Sequence, residues 1–522
     1  MAKFQPQKNI SYVISSAGKI SFISGLGFIS ALMVDIIIVS RFGISQETDA
    51  LFIAITLPQF ISSICLVVIN VVLVPLFAKV WIEQGKNNVW YLTNNLINAG
   101  FMLFIPISII GILGSPITIS ILGAGLTQST KSLAIDLSRI LFLTVIPVGA
   151  IEVVKASLNA SNSFAFPAAI SLIKNFSVIL TILLAPLLEI HTVAIGYVIA
   201  AFAQLVFIMT SLFIRGFRYK LSFSIEDRVT QMALHQMRHP LAGALMGQGN
   251  VLIERFLASF LPFGVVSTIG YAKQILRAVD NIFVGSVTTA FLPYLSSQSI
   301  NNDIINYKRT LITSIKILIL LSFSVSALII GLSESIVRLL FERAAFRADD
   351  TLTLAFFLSI YLISIPAWAV FQALQTAFYS IGDTKRPFLF RLASFVLNLI
   401  LNFFLFFIFR APGLALALTL SRTAITLLSA WILNRRIQII DTSLISFFAR
   451  VALASLLLVT VLLILEEQFK FSYSVPLVAS ILDIFFKSAI GLFVFALSLL
   501  ALRIKEVVKL FQFIKNLAYG ID

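Results

Sequence analysis

Residues 387–409 read PFLFRLASFVLNLILNFFLFFIF, a stretch of 23 residues with a single charged side chain, Arg391. A run of about 20 apolar residues is long enough to cross the hydrocarbon core of a bilayer as a helix. Similar runs recur along the 522-residue chain, of which 59% is hydrophobic and only 12% is charged. Soluble proteins carry roughly 25% charged residues. The sequence therefore predicts an all-α polytopic membrane protein and leaves no long polar stretch for a soluble catalytic domain.

Short polar breaks separate the apolar runs. The long second, eighth and tenth runs contain Pro58 and Pro75, Pro293, and Pro366, respectively. Prolines are tolerated in membrane helices where neighbours or a cavity satisfy the freed carbonyls, so we expect these three helices to be broken. In all, we expect about fourteen transmembrane helices, at residues 20–40, 49–79, 90–113, 133–157, 164–186, 192–214, 231–260, 265–295, 306–331, 351–380, 387–409, 412–434, 445–465 and 478–502.

Lys and Arg residues are concentrated in alternate loops. The richer set includes residues 215–230 and the tail 503–522, whereas the loop 332–350 belongs to the poorer set. Because cytoplasmic loops collect basic residues, we expect both termini in the cytoplasm, which requires an even number of spans. The same distribution accounts for the net charge of +15. It forms no basic stripe interleaved with aromatic residues, so we expect no nucleic-acid partner.

Residue types that carry chemistry are scarce. Cys65 is the single cysteine, and the histidines are His191, His235 and His239. The last two are four residues apart but lack the glutamate of a zinc-protease helix, and the chain contains no phosphate-binding Gly-x-x-x-x-Gly-Lys-Ser/Thr loop. The sequence therefore predicts a transporter rather than an enzyme. We expect no metal and no cofactor, and transport driven by the membrane potential or an ion gradient.

Two stretches of the chain resemble each other. Phe42-Gly43 precedes an exit at Pro75, and Phe263-Gly264 precedes a similar exit at Pro293. A second pair of turns, at 158–167 and 378–387, leads into the following spans. Parallel repeats of this kind occur in alternating-access transporters with two lobes around a cavity. We therefore predict an N-lobe at 1–220, a C-lobe at 221–440, and two further helices with a cytoplasmic tail at 441–522.

Charged residues at membrane depth are costly and usually face a cavity. Lys273, Arg277 and Asp280 are spaced to form one charged helix face, with Asp280 close enough to pair with Arg277. Ammonium and guanidinium groups both bind phosphate, which favours a cationic cavity for an anionic head group. A structural ion pair is the alternative. Asp35, Asp49, Glu254 and Arg255 also lie within the predicted helices. Six more residues are expected to reach the interface: Lys174, Lys316, Arg391, Arg422, Asp483 and Lys487.

A series of motifs runs in one order along most of the chain. Phe42-Gly43 is followed by the segments 48–54 and 57–58, and then by 258–261, 264, 271–272, 292–296, 341–346, 377–380, 382–384 and 387. This series resembles the MurJ (MviN) family of lipid II flippases in the multidrug/oligosaccharidyl-lipid/polysaccharide (MOP) exporter superfamily. Asp49 matches an acidic position that is typical of the family.

The resemblance implies fourteen helices, of which the last two form a groove for the lipid tail. It implies that undecaprenyl-pyrophosphate carrying a peptidoglycan precursor is moved from the inner to the outer leaflet of the cytoplasmic membrane. Membrane lipids and other cell-envelope biosynthesis proteins are the expected partners. We predict that the substrate is bound by Asp49, Arg255, Lys273 and Arg277. The residues predicted to form ion pairs or to couple transport are Asp35, Glu254 and Asp280.

Three cavity arginines that are typical of the family are replaced, at Val34, at Ser62-Ser63 and at Gln274. Lys273 and Arg277 are partial replacements. These departures leave open a flippase for a lipid-linked exopolysaccharide or O-antigen unit. A cation-coupled drug exporter of the same superfamily would favour an aromatic and acidic pocket. A glycan-polymerising membrane enzyme would need a large outside loop with paired carboxylates.

Overall fold

The computed structural model describes residues 6–504, except 162, 186, 188, 222–227, 302, 440 and 469–476. Within these residues the regular elements are helices. The chain divides into two compact units, Met1–Ser267 and Thr268–Asp522. The predicted lobe boundaries at 220 and 440 stay a prediction.

The first unit is built from long apolar helices, and its core lies where α3, α4 and α6 pack together around buried side chains such as Leu73, Phe77 and Ile97. Its helices are α1 (Pro6–Phe42), α2 (Gln46–Ala54), α3 (Thr56–Gln84), α4 (Lys86–Leu122), α5 (Gln128–Phe142), α6 (Val148–Ala160), α7 (Ala165–Leu184), α8 (His191–Ile214), α9 (Arg228–Gln236) and α10 (Arg238–Ala258).

The helix α11 (Val265–Val279) begins in the first unit and continues into the second, where a π-helical segment, Asp280–Gly285, joins it to the next helix. The second unit then contains α12 (Ser286–Ile300), α13 (Ile304–Gly331), α14 (Ser333–Phe341), α15 (Ala348–Leu362), α16 (Ile365–Ser380), α17 (Lys385–Phe409), α18 (Ala411–Ile437), α19 (Thr442–Gln468) and α20 (Leu477–Ala501). Within it, α17 packs on α18, and α13 packs on both α16 and α19.

The predicted all-α polytopic fold is confirmed. In the part of the chain that the structure describes, thirteen helical segments are long and apolar enough to cross a membrane. The seventh run of the sequence analysis corresponds to α10, which has 21 residues. It falls outside the thirteen because polar residues, Glu254 and Arg255 among them, lower its mean hydropathy.

The expected helix breaks occur, but only some prolines cause them. The second span is interrupted at Ile55, between α2 and α3, and the tenth at residues 363–364, between α15 and α16. In each case a proline, Pro58 or Pro366, lies four residues after the last residue of the first helix, whose carbonyl it leaves without a donor. Pro75 and Pro293 lie inside α3 and α12 instead. The eighth span is irregular at its π-helical segment, upstream of Pro293.

Candidate functional site

Asp49 lies in the first turn of α2, where its side chain is buried. Its Oδ2 accepts a hydrogen bond from the backbone N–H of Gly264 at 2.5 Å, and its Oδ1 accepts one from the N–H of Ser267 at 2.7 Å. These N–H groups belong to the start of α11, where a helix has no internal acceptors for its first donors. Asp49 is therefore a helix cap supplied by a distant part of the chain, and its charge is favoured by the helix dipole.

Arg255 completes this cluster from α10. Its guanidinium donates a hydrogen bond to the carbonyl of Val266 at 2.6 Å and lies 4.8 Å from the centroid of the Phe52 ring. Its charge also interacts with Asp49. We call Asp49, Phe52, Arg255 and residues 264–267 the helix-cap cluster. It fixes the first turn of α11 from two other helices.

Local sequence sets up the two turns of this cluster. Gly43 and Gly264, the glycines of the repeated Phe-Gly motif, have φ angles of 62° and 88°. That left-handed region suits glycine. A Cβ on Gly264 would also lie 2.4 Å from a methyl carbon of Ile44. Ser45 then caps α2 with its side chain, which accepts a hydrogen bond from the N–H of Thr48. The motif therefore starts α2 and presents its first turn to α11.

The other two acidic residues predicted in the first unit are also buried. Asp35 lies on α1, where it interacts electrostatically with Tyr197 of α8. Glu254 precedes Arg255 on α10. Their predicted roles as ion-pair or coupling residues stay predictions.

Lys273 and Arg277 lie in the second unit, one turn apart on α11. The ammonium of Lys273 is 5.8 Å from the centroid of the Tyr361 ring, and its side chain is half-buried. Arg277 is exposed, and its Nε donates a hydrogen bond to the carbonyl of Lys273 at 3.3 Å. The two cations are therefore positioned on one helix, as the spacing predicts.

The predicted pairing of Asp280 with Arg277 is corrected by the structure. The ion pair of Asp280 is with Arg422 of α18, at 3.3 Å between Oδ2 and a guanidinium nitrogen. Arg277, in the last turn of α11, donates to the carbonyl of Lys273 instead, whereas Arg422 approaches Asp280 from a neighbouring helix. Only 13% of the Arg422 side chain is exposed, and the expectation that it reaches the membrane interface stays a prediction.

Two further clusters of paired charges, with three ion pairs between them, were not predicted from the sequence. Glu152 and Lys155 of α6 pair at 2.8 Å, and Asn70 of α3 donates to the same carboxylate at 3.0 Å. Lys487 of α20, expected at the interface, is buried and pairs with Asp483 at 2.8 Å and with Glu466 of α19 at 3.6 Å. Opposite charges three or four residues apart inside an apolar run are the signal that could have identified both.

Three aromatic residues of the sequence motifs pack against one another. Tyr271, Phe341 and Phe346 are buried, and the ring of Phe341 lies 5.9 Å from that of Tyr271 and 6.0 Å from that of Phe346. These motifs hold α11 against the turn after α14. Across the described ranges, no group of three His, Cys, Asp or Glu side chains is arranged to hold a metal ion.

Comparisons with known proteins agree on one family. The family model described as lipid II flippase MurJ matches residues 38–483. A probable lipid II flippase MurJ from Buchnera aphidicola subsp. Acyrthosiphon pisum is 25% identical over 492 residues, covering 92% of this chain and 95% of the relative.

Solved structures show the same fold. A lipid II flippase MurJ in an inward closed conformation aligns with a TM-score of 0.77 at 22% identity, covering 92% of this chain and 99% of that one. An inward-facing multidrug resistance MATE family transporter of the MOP superfamily aligns with a TM-score of 0.68 at 14% identity. The alignment covers 79% of this chain and 94% of that one.

Proposed function

This chain belongs to the MurJ family of lipid II flippases, and we propose from that premise that it moves lipid II across the bacterial cytoplasmic membrane by alternating access. The match over residues 38–483 is the observation that carries the proposal, because it includes nearly all of the candidate membrane spans. The protein is a transporter rather than an enzyme, and it is a multi-pass protein of the inner membrane.

Lipid II, as an undecaprenyl-pyrophosphate derivative, presents a pyrophosphate between its lipid tail and its sugars. We assign Lys273 and Arg277 to this group. Their position one turn apart on α11 and the exposure of Arg277 support the assignment. An ammonium offers phosphate a point charge and a guanidinium offers it a fork of donors. Asp49 and Arg255 have structural hydrogen bonds at the start of α11 instead, so their predicted contact with substrate has less support from the geometry.

The proposal includes the direction of transport, its energy source and the orientation of the protein in the membrane. Transport runs from the inner to the outer leaflet and draws on the membrane potential or an ion gradient. Both termini lie in the cytoplasm, as the distribution of Lys and Arg in the loops predicts. Membrane lipids surround the helices, and other cell-envelope biosynthesis proteins deliver or use the substrate.

Complementation tests the function. A bacterial strain depleted of its own lipid II flippase should grow when this chain is expressed. Arg277→Gln should weaken binding of lipid II to the purified protein by about ten- to a hundred-fold, the effect of one charge-assisted hydrogen bond. Arg309→Gln is the matched control, because Arg309 is an exposed cation outside the proposed site.

Normal membrane levels of the wild-type chain without growth would contradict the lipid II assignment. Growth with unchanged affinity in Arg277→Gln would leave the function in place and reject this residue as a ligand.

A further inference from the structure

One face of α18 covers the break between α15 and α16. Thr419, Arg422 and Thr426 are spaced three and four residues apart, which places them on the same side of the helix. The Thr419 hydroxyl lies 3.3 Å from the carbonyl oxygen of Ile360 and 3.1 Å from that of Ala415 in its own helix. The Thr426 hydroxyl lies 2.9 Å from the carbonyl oxygen of Ala367 and 2.6 Å from that of Arg422 in its own helix. The two threonine hydroxyls therefore lie within hydrogen-bond distance of main-chain carbonyls on either side of the break, and each shares its one proton with a carbonyl of α18.

The break leaves a main-chain carbonyl of α15 without its usual helical donor. In a continuous helix the N–H of Ser364 would bind the carbonyl of Ile360. Here the Ser364 N–H binds the carbonyl of Tyr361 at 3.1 Å, which frees the carbonyl of Ile360 that faces the Thr419 hydroxyl. Arg422 donates to the hydroxyl of Ser364 at 2.9 Å, directly between the two threonine contacts.

Arg422 also connects this break to the irregular part of the eighth span. Its second guanidinium nitrogen pairs with Asp280, the first residue of the π-helical segment, and its guanidinium carbon lies 4.6 Å from the centroid of the Trp368 ring. The other oxygen of Asp280 is buried and has no hydrogen-bond partner among the described residues. Isolated π-helical turns are rare and occur frequently at functional sites.

Arg422 is connected to Lys273 through Ser364 and Tyr361. The hydroxyl of Ser364 donates to the carbonyl of Tyr361 at 2.7 Å, and the fully buried Tyr361 ring lies beneath the ammonium of Lys273. A lysine in place of Arg422 could not reach Ser364 and Asp280 together with a rigid fork, because an ammonium is a single compact charge. The guanidinium thus joins two irregular helices at one point.

We propose that Arg422 is a positioning residue for substrate binding. It holds the α15–α16 break against the π-helical segment and thereby fixes Tyr361 beneath Lys273, so that the Lys273 ammonium is directed toward the pyrophosphate. Arg422 itself does not contact the substrate. The inference rests on the proposed function, since it assigns Lys273 to a lipid-linked pyrophosphate.

A double-mutant cycle tests this role with purified full-length protein and lipid II as the ligand. Arg422→Gln should weaken binding about ten-fold, the effect of misplacing one charge-assisted contact. In a Lys273→Gln background, the same substitution should have almost no further effect on affinity, because the group that it positions is gone. Arg391→Gln on α17 is the matched control, and it should leave the affinity unchanged in both backgrounds.

Hydrogen exchange of residues 360–368, measured without lipid, provides a readout that does not depend on the substrate. Exchange should increase in Arg422→Gln and, to a smaller extent, in Arg422→Lys, which retains the charge. Unchanged exchange, or losses of affinity that simply add in the double variant, would overturn the positioning role. If the wild-type protein binds no lipid II, the proposed function fails, while the exchange measurement still decides whether Arg422 holds the break.

Discussion

Asp49 and Asp280 are two buried aspartates that the structure satisfies in different ways. Both oxygens of Asp49 accept backbone N–H groups at the start of α11. One oxygen of Asp280 pairs with Arg422, and the other has no hydrogen-bond partner within the described part of the chain. The same residue type is therefore a completed helix cap in one unit and a partly satisfied ion pair in the other.

The difference shows how a carboxylate can be kept at membrane depth. Backbone N–H groups at a helix start bind it without a second charged side chain. A guanidinium can bind the carboxylate instead, but a second charge is then buried. Such a pair stabilises the protein only when its hydrogen-bond geometry offsets the desolvation of both charges. We infer that Asp49 stabilises the fold, whereas Asp280 belongs to the part of the molecule where helix geometry is irregular.

Removing the cap should have the largest effect. Asp49→Ala leaves two buried N–H groups without acceptors and removes the anionic neighbour of Arg255, so we expect a loss of about 4 kcal/mol of stability, at 1–3 kcal/mol per unsatisfied group. Thermal unfolding of the detergent-purified protein measures it. Glu47→Ala is the control, because Glu47 is only half-buried and lies in the same turn of α2. Equal melting temperatures for the two variants would show that the cap does not stabilise the fold.

Replacing each aspartate by asparagine, which has the same shape, compares the two sites directly. Asp49→Asn replaces one acceptor by an amide donor that faces an N–H group, so we expect a loss of about 2–3 kcal/mol. Asp280→Asn keeps an acceptor oxygen for Arg422, which also retains Ser364 and the Trp368 ring, so we expect a smaller loss, about 1 kcal/mol. Melting temperatures of the two variants, compared at one pH and in one detergent, test the order. The reverse order would mean that the charge of Asp280 matters more than the cap.

The smallest effect is expected at an exposed cap. Asp303 precedes α13, and its carboxylate accepts hydrogen bonds from the backbone N–H and the side-chain amide of Asn306, which lower the pKa of Asp303 below its ordinary value of 3.8. Because the pKa of Asp303 is lower in the folded state, the cap stabilises the protein fully above about pH 3.8. Its effect is lost as the pH falls through the pKa of the folded state.

Asp303→Ala should therefore reduce the melting temperature slightly at neutral pH and not at all in strong acid. Lys308→Ala, on the same helix and away from the cap, is the control. A difference between wild type and Asp303→Ala that grows as the pH falls would contradict this account.

Several parts of the architecture could be predicted because they depend on neighbouring residues alone. The length and apolar character of the runs predict membrane helices, as the segment 387–409 shows. Pro58 and Pro366 predict two of the breaks, because each removes a hydrogen bond to the residue four positions earlier. The motif series indicates the family. Lys273 and Arg277 lie on one helix because helical spacing alone determines it.

Only the tertiary structure determined which partner each buried charged side chain contacts. Spacing on α11 indicated Arg277 as the partner of Asp280, but the structure supplies Arg422, 142 residues away, and Asp49 caps a helix 215 residues away. Lys487, expected at the interface, pairs with Glu466 of another helix. A sequence pattern specifies the face on which a charge lies, whereas the partner depends on which helix packs against that face. At membrane depth that choice determines whether a charge is satisfied, because there is no water to replace a missing partner.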